Sequence, residues 1–355
     1  MKITIGTAKL QALLNKAVKG AGCNKLIPST NLIAIKVDNG VLTLTTNDDE
    51  NYLTIEDDLS GKEDFYVAVQ VDLLAKLVSK MTCDSVTLEV TDSCLNVNGN
   101  GSYQIELEHE DDGAQLVLPN PIDSFDKSNK VGTVDSSMIV TTLASIKPAL
   151  ATTDDIPCFT CYYVGDSIVA TDGYIASEYA KGFLKEPRLI RSVVMDLLGL
   201  LTGEISVYED KGKMLFEAED GSVYCPIPNG IEQYSIAQIS ALITQEFDSS
   251  CKVTKSSLLN LLDRIALFVG LYDNDRIALS FGEDGLEVNS KYANEVIPYT
   301  ECHNAVGFEC LADIHTLITQ VKAQRGDEFT IEFGKENVIK FVDGDIISVV
   351  ALLEE

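Results

Sequence analysis

Lys2-Ile-Thr-Ile-Gly-Thr-Ala-Lys-Leu-Gln-Ala-Leu-Leu-Asn-Lys-Ala-Val18 opens the chain, and its reading decides the fold. Lys2 to Gly6 reads as a strand. From Thr7, a residue type that caps helices, the apolar positions Leu10, Leu13, Leu14 and Val18 keep helical spacing. The same change from strand to helix recurs, with helix starts near Ser136 and Thr254. A period of roughly 120 residues is far longer than a solenoid repeat and is about the size of one small domain. A second helix follows the first by about sixty residues in each third, which predicts a two-part domain present three times. The expected domains are 1–122, 132–230 and 250–355, joined by linkers 123–131 and 231–249.

Outward from that opening, strands are expected at Leu32 to Val37, Val41 to Thr45 and Tyr52 to Glu56, with Asp38-Asn-Gly40 as a hairpin turn. A helix from Val71 to Met81 precedes strands at Ser85 to Val90, Cys94 to Val97 and Ser102 to Leu107. The middle third is expected to carry helices at Ser136 to Lys147 and Ser192 to Leu201, with strands at Cys158 to Val164 and Ser167 to Thr171. Three more strands, Glu204 to Tyr208, Lys213 to Ala218 and Ser222 to Pro226, close it. In the last third the helices are expected at Lys255 to Phe268 and Cys310 to Ala323.

The chain has 355 residues, 45% of them apolar, enough for two or three cores. Its net charge of −28 repels nucleic acid and anionic membrane when taken as a whole. No stretch approaches the eighteen or so apolar residues of a membrane span, and the N-terminus reads as a strand rather than a signal, so a soluble cytoplasmic protein is expected. Nine cysteines lie in apolar, strand-like runs, and free thiols are expected. Cys158 and Cys161 have redox-motif spacing, but that motif opens a helix, whereas Phe159, Thr160, Tyr162 and Tyr163 favour a strand.

The 27 basic residues are not evenly spread, and roughly half fall on or beside the expected helices. Lys9, Lys16, Lys19, Lys76 and Lys80 belong to the first helix pair, with Lys25 just beyond the first helix. Lys147, Arg188 and Arg191 accompany the middle pair, and Lys255, Arg264, Lys322 and Arg325 the last. The acid falls mostly on strands and turns, as in Asn47-Asp-Asp-Glu50 and Glu108-His-Glu-Asp-Asp112. A single helix of this kind is simply a solvated amphipathic element. Helices with the same bias lining one surface would form a positive track, and a phosphate touching it feels it more than acid beyond the screening length of about 8 Å. Such contacts position a duplex without reading its sequence.

Three segments carry a resemblance to a known family: Ile27-Pro-Ser-Thr-Asn31-Leu-Ile, Val41-Leu-Thr-Leu-Thr-Thr-Asn-Asp-Asp-Glu50 and Val169-Ala-Thr-Asp-Gly-Tyr174. Together with the opening strand and helix, they make the chain resemble the bacterial β sliding clamps, the processivity subunits of DNA polymerase III, over essentially its full length. The resemblance implies an α+β fold of three tandem clamp-type domains, each a pair of βαβββ units. It further implies a head-to-tail homodimer ring with helices inside, antiparallel sheets outside and duplex DNA through the hole. The basic residues above, Arg188 apart, would face that DNA.

The family also receives short peptide motifs from the polymerase, the clamp loader and other clamp-binding proteins in a hydrophobic pocket. Thr171, Gly173, Tyr174 and Ile175 match its signature, Ile156, Ile236 and Ile239 fall near it by position, and Val349, Val350, Ala351, Leu352 and Leu353 would supply a wall. The family usually ends in methionine, proline and a basic residue, whereas this chain ends Ala351-Leu-Leu-Glu-Glu355. The plain alternative for Thr171 to Ile175 is a strand ending in a tight turn. For the dimer contact the resemblance pairs Tyr103 and Ile105 with Leu267 and Phe268, and an exposed apolar edge needs such a partner; the competing reading makes all four core residues.

The sequence contains no phosphate loop and no GxSxG elbow. His109, His303 and His315 are far apart and have no ligand-spaced partner. Acidic clusters such as Asp48, Asp49 and Glu50 lack calcium-loop spacing. No catalytic residue, metal or cofactor is expected. Two other readings compete: a diverged clamp-fold scaffold that binds proteins without encircling DNA, and a cysteine-dependent enzyme using Cys158 or Cys161.

Overall fold

The computed structural model describes residues 1–355 except 23, 25, 60–62, 111, 270–274, 305–306, 335–336 and 355. The first third holds β1 (Lys2–Gly6), α1 (Thr7–Ala17), β2 (Leu32–Asp38), β3 (Val41–Asn47), β4 (Tyr52–Asp58), β5 (Phe65–Gln70), α2 (Val71–Ser79), β6 (Ser85–Val90), β7 (Cys94–Asn98) and β8 (Ser102–Glu106). The middle third continues with β9 (Lys130–Asp135), α3 (Ser136–Ile146), β10 (Cys161–Val164), β11 (Ile168–Thr171), β12 (Ile175–Tyr179), β13 (Arg188–Arg191), α4 (Ser192–Leu198), β14 (Glu204–Asp210), β15 (Lys213–Ala218) and β16 (Gly221–Pro226). The remainder is α5 (Ile236–Thr244), β17 (Ser249–Thr254), α6 (Lys255–Ala266), β18 (Arg276–Phe281), β19 (Leu286–Asn289), β20 (Asn294–Ile297), β21 (Glu301–His303), β22 (Phe308–Asp313), α7 (Ile314–Ala323), β23 (Glu328–Phe333), β24 (Val338–Asp343) and β25 (Ile346–Ala351).

The chain divides into two compact units, Met1–Ile139 with Val193–Ile227, and Val140–Ser192 with Pro228–Glu355. In the first, an antiparallel sheet β1-β6-β7-β8 accompanies an eight-stranded sheet ordered β5-β2-β3-β4-β16-β15-β14-β9. Strands from the first and middle thirds therefore share one sheet, joined at the β4–β16 seam where Tyr52 faces Tyr224 and Ile55 faces Gly221. A Cβ on Gly221 would sit 2.1 Å from the Thr54 carbonyl oxygen, so only glycine permits that close approach. The second unit repeats the plan with a nine-stranded sheet, β13-β10-β11-β12-β25-β24-β23-β17-β21, and a four-stranded sheet, β20-β19-β18-β22. Its seam joins β12 to β25, with Ala176 facing Val349 and Ile175 facing Val350.

The helices bury the stripes their spacing implies. Leu10, Leu13, Leu14 and Ala17 of α1 are buried, as are Val71, Leu74 and Val78 of α2, and these two helices pack together in the first unit. In the second unit α6 buries Leu258, Leu261, Leu262 and Ile265, and its partner α7 buries Ile314, Leu317, Ile318 and Val321. Gln11 of α1 reaches across to donate to the Val78 and Met81 carbonyls at the end of α2.

Several expectations need correction. Thr7 is the first helical residue, with Gly6 at the cap position, and its hydroxyl faces the Cys83 sulfur rather than the helix backbone. Cys158 to Thr160 are not strand: Pro157–Thr160 forms a single 3-10 turn before β10, because Pro157 lacks the N–H a ladder needs. Cys310 belongs to β22, and α7 starts only at Ile314, where the Asp313 carboxylate accepts from the Thr316 N–H at 2.7 Å. Strands β5, β12 and β13 lie in stretches where no strand was expected, β9 starts within the last two residues of the stretch read as linker, and α5 occupies ground read as linker. The α5 helix has apolar residues at Ile236, Ile239, Leu242 and Ile243, a helical stripe between polar flanks.

Candidate functional site

The Thr171 to Ile175 segment is a tight turn between β11 and β12. The Asp172 carboxylate accepts from the N–H groups of Tyr174 and Ile175 at 2.8 and 2.7 Å, and Thr171 Oγ1 donates to the Ile175 carbonyl at 2.6 Å. Gly173 sits at φ +95°, a conformation that disfavours any side chain. The turn thrusts Tyr174 outward, 78% exposed, beside the β12–β25 seam.

Helix α5 lies over that seam and leaves a cavity of about 250 Å³. Ala176, Val338, Val349 and Ala351 form the sheet side, Ser235, Gln238, Ile239 and Leu242 the side facing it, and Phe159 with Thr171, Gly173, Tyr174 and Ile175 the remaining rim. No charged side chain lines it, so it suits one or two apolar side chains of a ligand rather than an ion. The helix is pinned at both ends. Before it, the buried Tyr234 hydroxyl donates to the Val169 carbonyl at 3.1 Å, and burial, chiefly, raises its pKa far above the usual tyrosine range, so it remains a donor. After it, the buried Lys340 ammonium donates to the Gln245 carbonyl at 2.9 Å, pairs with Glu332 at 2.8 Å and lies over the Phe247 ring.

Of the residues expected here, Thr171, Gly173, Tyr174, Ile175, Ile239, Val349 and Ala351 line the cavity. Ile236 packs into the apolar cluster beneath α5, and Val350 is buried without lining the cavity. Ile156 is 45% exposed and is not part of the lining. Leu352 and Leu353 line a separate open depression with Phe308, Leu311 and Asn337, where Leu353 N–H bridges to the Leu311 carbonyl at 2.8 Å. Phe159, Ala176, Ser235, Gln238, Leu242 and Val338 were missed. The helical stripe of α5 was the available signal for Leu242, whereas nothing local marks Ala176 or Val338.

The candidate cations are differently employed. Lys9 pairs with Asp57 at 2.9 Å, Lys16 with Asp220 at 2.9 Å, Lys76 with Asp72 at 2.8 Å and Arg264 with Glu295. Lys255 donates to the Lys322 carbonyl at 3.0 Å and to that of Gln324, so it caps the end of α7. Lys19, Lys80, Lys147, Lys322 and Arg325 are exposed and Arg191 is half-buried, while Lys25 lies outside the described residues. The exposed positions of α3 and α4 are Ser137, Val140, Ala144, Val193 and Asp196, so neither helix body carries a cation.

Tyr103 is exposed on β8, an outer strand of its sheet, but Ile105 is 3% exposed and belongs to the core of the first unit. The alternation of β8 puts the two on the same side of the strand, and only the second is buried. Leu267, 72% exposed, and Phe268 follow α6. Exposed Tyr292 and Val296 lie just before and on β20, an outer strand of the four-stranded sheet. Cys158 and Cys161 are buried, and burial raises both thiol pKa values, the opposite of a reactive thiolate. Among the described residues no group of His, Cys, Asp and Glu is arranged to hold a metal, and no helix is long and apolar enough to cross a membrane.

No family model matches the sequence, and no curated protein matches it either. Solved structures do. The DNA polymerase sliding clamp from Bacillus subtilis superimposes with a TM-score of 0.82 at 16% identity, covering 100% of this chain and 99% of that one. A sliding clamp from Pseudomonas aeruginosa, bound to griselimycin, gives 0.84 at 15% identity with both chains covered in full. The DNA polymerase III β subunit from Thermotoga maritima gives 0.81 at 13% identity, covering 100% and 99%. With both chains aligned end to end at these TM-scores, the chain has the fold of the bacterial DNA polymerase III β sliding clamps.

Proposed function

We propose that this chain is a DNA polymerase processivity factor. Two copies close head to tail into a ring that encircles duplex DNA without sequence specificity, and the cavity under α5 receives an apolar peptide from the replicative polymerase, the clamp loader and other clamp-binding proteins. The observation that carries this reading is the clamp fold over the full chain length. The apolar cavity beside exposed Tyr174 supports the peptide-binding part. In this reading the chain comprises three clamp domains, 1–122, 132–230 and 250–355, works in the cytoplasm, and needs no catalytic residue or cofactor. The outer strand β8, with Tyr103, meets the β20 edge of a second copy, whose Val296, Leu267 and Phe268 provide apolar surface. Exposed ion pairs contribute only about 0–1 kcal/mol, so Lys9 and Lys76 exchange their carboxylates for phosphate at little cost.

The test is retention on nicked circular against linearised duplex, with a matched loader and ATP, alongside solution mass. Dimers that stay on circles and slide off cut DNA support the ring; monomers that no matched loader places on DNA overturn it. A second reading, a diverged clamp-fold scaffold that binds proteins without encircling DNA, is favoured by one observation. Four candidate DNA-facing cations are engaged by carboxylates of the chain itself, in a protein of net charge −28.

A further inference from the structure

Of its nine cysteines the sequence singled out only Cys158 and Cys161, yet the second unit sets two others face to face. Cys251 on β17 is the register partner of Cys302 on β21, the outermost strand of the nine-stranded sheet. The Thr300 N–H and hydroxyl both donate to the Lys252 carbonyl, at 2.9 and 3.3 Å, so the backbone of Lys252 points toward the β21 side. Because these directions alternate along a strand, Cys251 points its own backbone groups toward β23. Cys251 and Cys302 are thus a non-hydrogen-bonded pair, the type in which Cα atoms stand about 4.5 Å apart and side chains are closest. That separation lies within the range a disulfide spans, about 4.4–6.8 Å. Cys302 is exposed, whereas Cys251 is 1% exposed. Burial, and after it the neighbouring Cys302 thiol, pushes the Cys251 pKa up to about 12. Cys158 and Cys161, despite their spacing, are both buried and offer a solution oxidant no entry.

We propose that Cys251 and Cys302 form a reversible cross-strand disulfide, made by exchange with a low-molecular-weight disulfide such as oxidised glutathione. The Cys302 thiolate attacks one sulfur of the oxidant, forming a mixed disulfide and releasing one glutathione thiolate. Cys251 then attacks the Cys302 sulfur, closing the intramolecular bond and releasing the second. The two protein thiols lose two electrons together, the oxidant gains them, and the two thiol protons end on the two glutathiones. The short outer strand β21, all three residues of which are exposed, is thereby tied covalently to β17, which runs straight into α6.

The full chain is equilibrated in glutathione buffers of increasing oxidised fraction, quenched in acid, alkylated and mapped by peptide mass. The expected result is a peptide containing Cys251 linked to one containing Cys302, with both thiols lost together. Cys302→Ser, at an exposed position, should leave Cys251 reduced at every ratio, and Cys251→Ser should stop at the glutathione adduct of Cys302. Wild-type protein that also stops at that adduct, pairs Cys302 with another cysteine, or keeps Cys251 reduced throughout overturns the proposal.

Discussion

The two long sheets are built to one plan and finished differently at the same place. Asp48 and Asp172 occupy equivalent turns: each carboxylate accepts two backbone N–H groups, from Glu50 and Asn51 in one and from Tyr174 and Ile175 in the other. The following residue has the same left-handed backbone, Asp49 at φ +88° and Gly173 at φ +95°. Asn47 faces Tyr52 across β3–β4 as Thr171 faces Ala176 across β11–β12. At the seam, therefore, the Tyr52–Tyr224 pair of the first unit stands where the second has Ala176 and Val349. The two tyrosines meet edge to face at 5.8 Å, and Phe125 packs edge-on against Tyr224 at 6.0 Å. In the second unit the equivalent small residues, roofed by α5, leave the cavity. A shared turn is thus scaffold, and what makes a site of it is the size of the two side chains behind it.

That contrast can be broken most strongly at Lys340. Replacing it by Met removes the donor to Gln245 and leaves Glu332 half-buried without its partner, at a cost of about 3 kcal/mol. Denaturant unfolding measures the loss, and hydrogen exchange over 236–244 should accelerate; unchanged exchange there would mean that Lys340 does not hold α5. The next largest effect comes from giving the second seam the residues of the first. Ala176→Tyr with Val349→Tyr fills the cavity, abolishes binding of a fluorescent clamp-binding peptide, and costs about 1–3 kcal/mol in overpacking; full peptide affinity in a folded double variant would sink the cavity as the binding site.

The turns themselves sharpen the comparison. Gly173→Ala places a Cβ at φ +95° and should destabilise by about 1 kcal/mol, whereas Asp49→Gly relieves strain and loosens the unfolded chain, leaving stability within about 0.5 kcal/mol. Equal losses in the two variants would show that the turns are not equivalent. The smallest effect lies at the far ends of the seams, where the Asp220 carbonyl accepts from Glu56 N–H and that of Asp345 from Ala180 N–H. Burial raises the Asp220 pKa, but hydrogen bonds from Lys16 and Thr202 outweigh it and hold the carboxyl below the usual range. With a lowered folded value, its contribution is full above the ordinary carboxylate pKa and is lost as pH falls through the folded one. Asp220→Asn should therefore cost about 1 kcal/mol at neutral pH and less in acid, while Asp345→Asn, whose Lys181 partner is well exposed, should be near neutral. Urea titrations at several pH values distinguish the two.

Most strands and helices were legible because their cause is local. Leu10, Leu13 and Leu14, or Leu258, Leu261 and Leu262, define a face wherever they are placed, and Asp38-Asn-Gly40 turns the chain because Asn39 and Gly40 tolerate positive φ. Misreadings fell where a local signal was ambiguous or overruled. Cys310 to Asp313 sit before a true helix and were drawn into it, and α5 hid in a polar stretch that looked like linker. The site was half legible. Thr171 to Ile175 has a motif, but Ala176 looks like any small strand residue and Phe159 like any core aromatic. Ile105 entered the dimer contact only through the family resemblance, and the fold buries it in the first unit.

The amino-acid sequence by itself determined most of the elements and the turn chemistry, since these depend on side chains within a few residues of one another. Only the tertiary structure decided that Ala176 meets Val349, that Lys340 ends beneath α5 and that Cys251 faces Cys302. Each of these joins residues dozens to more than a hundred positions apart through sheet register, and a one-residue shift would turn every side chain to the other face.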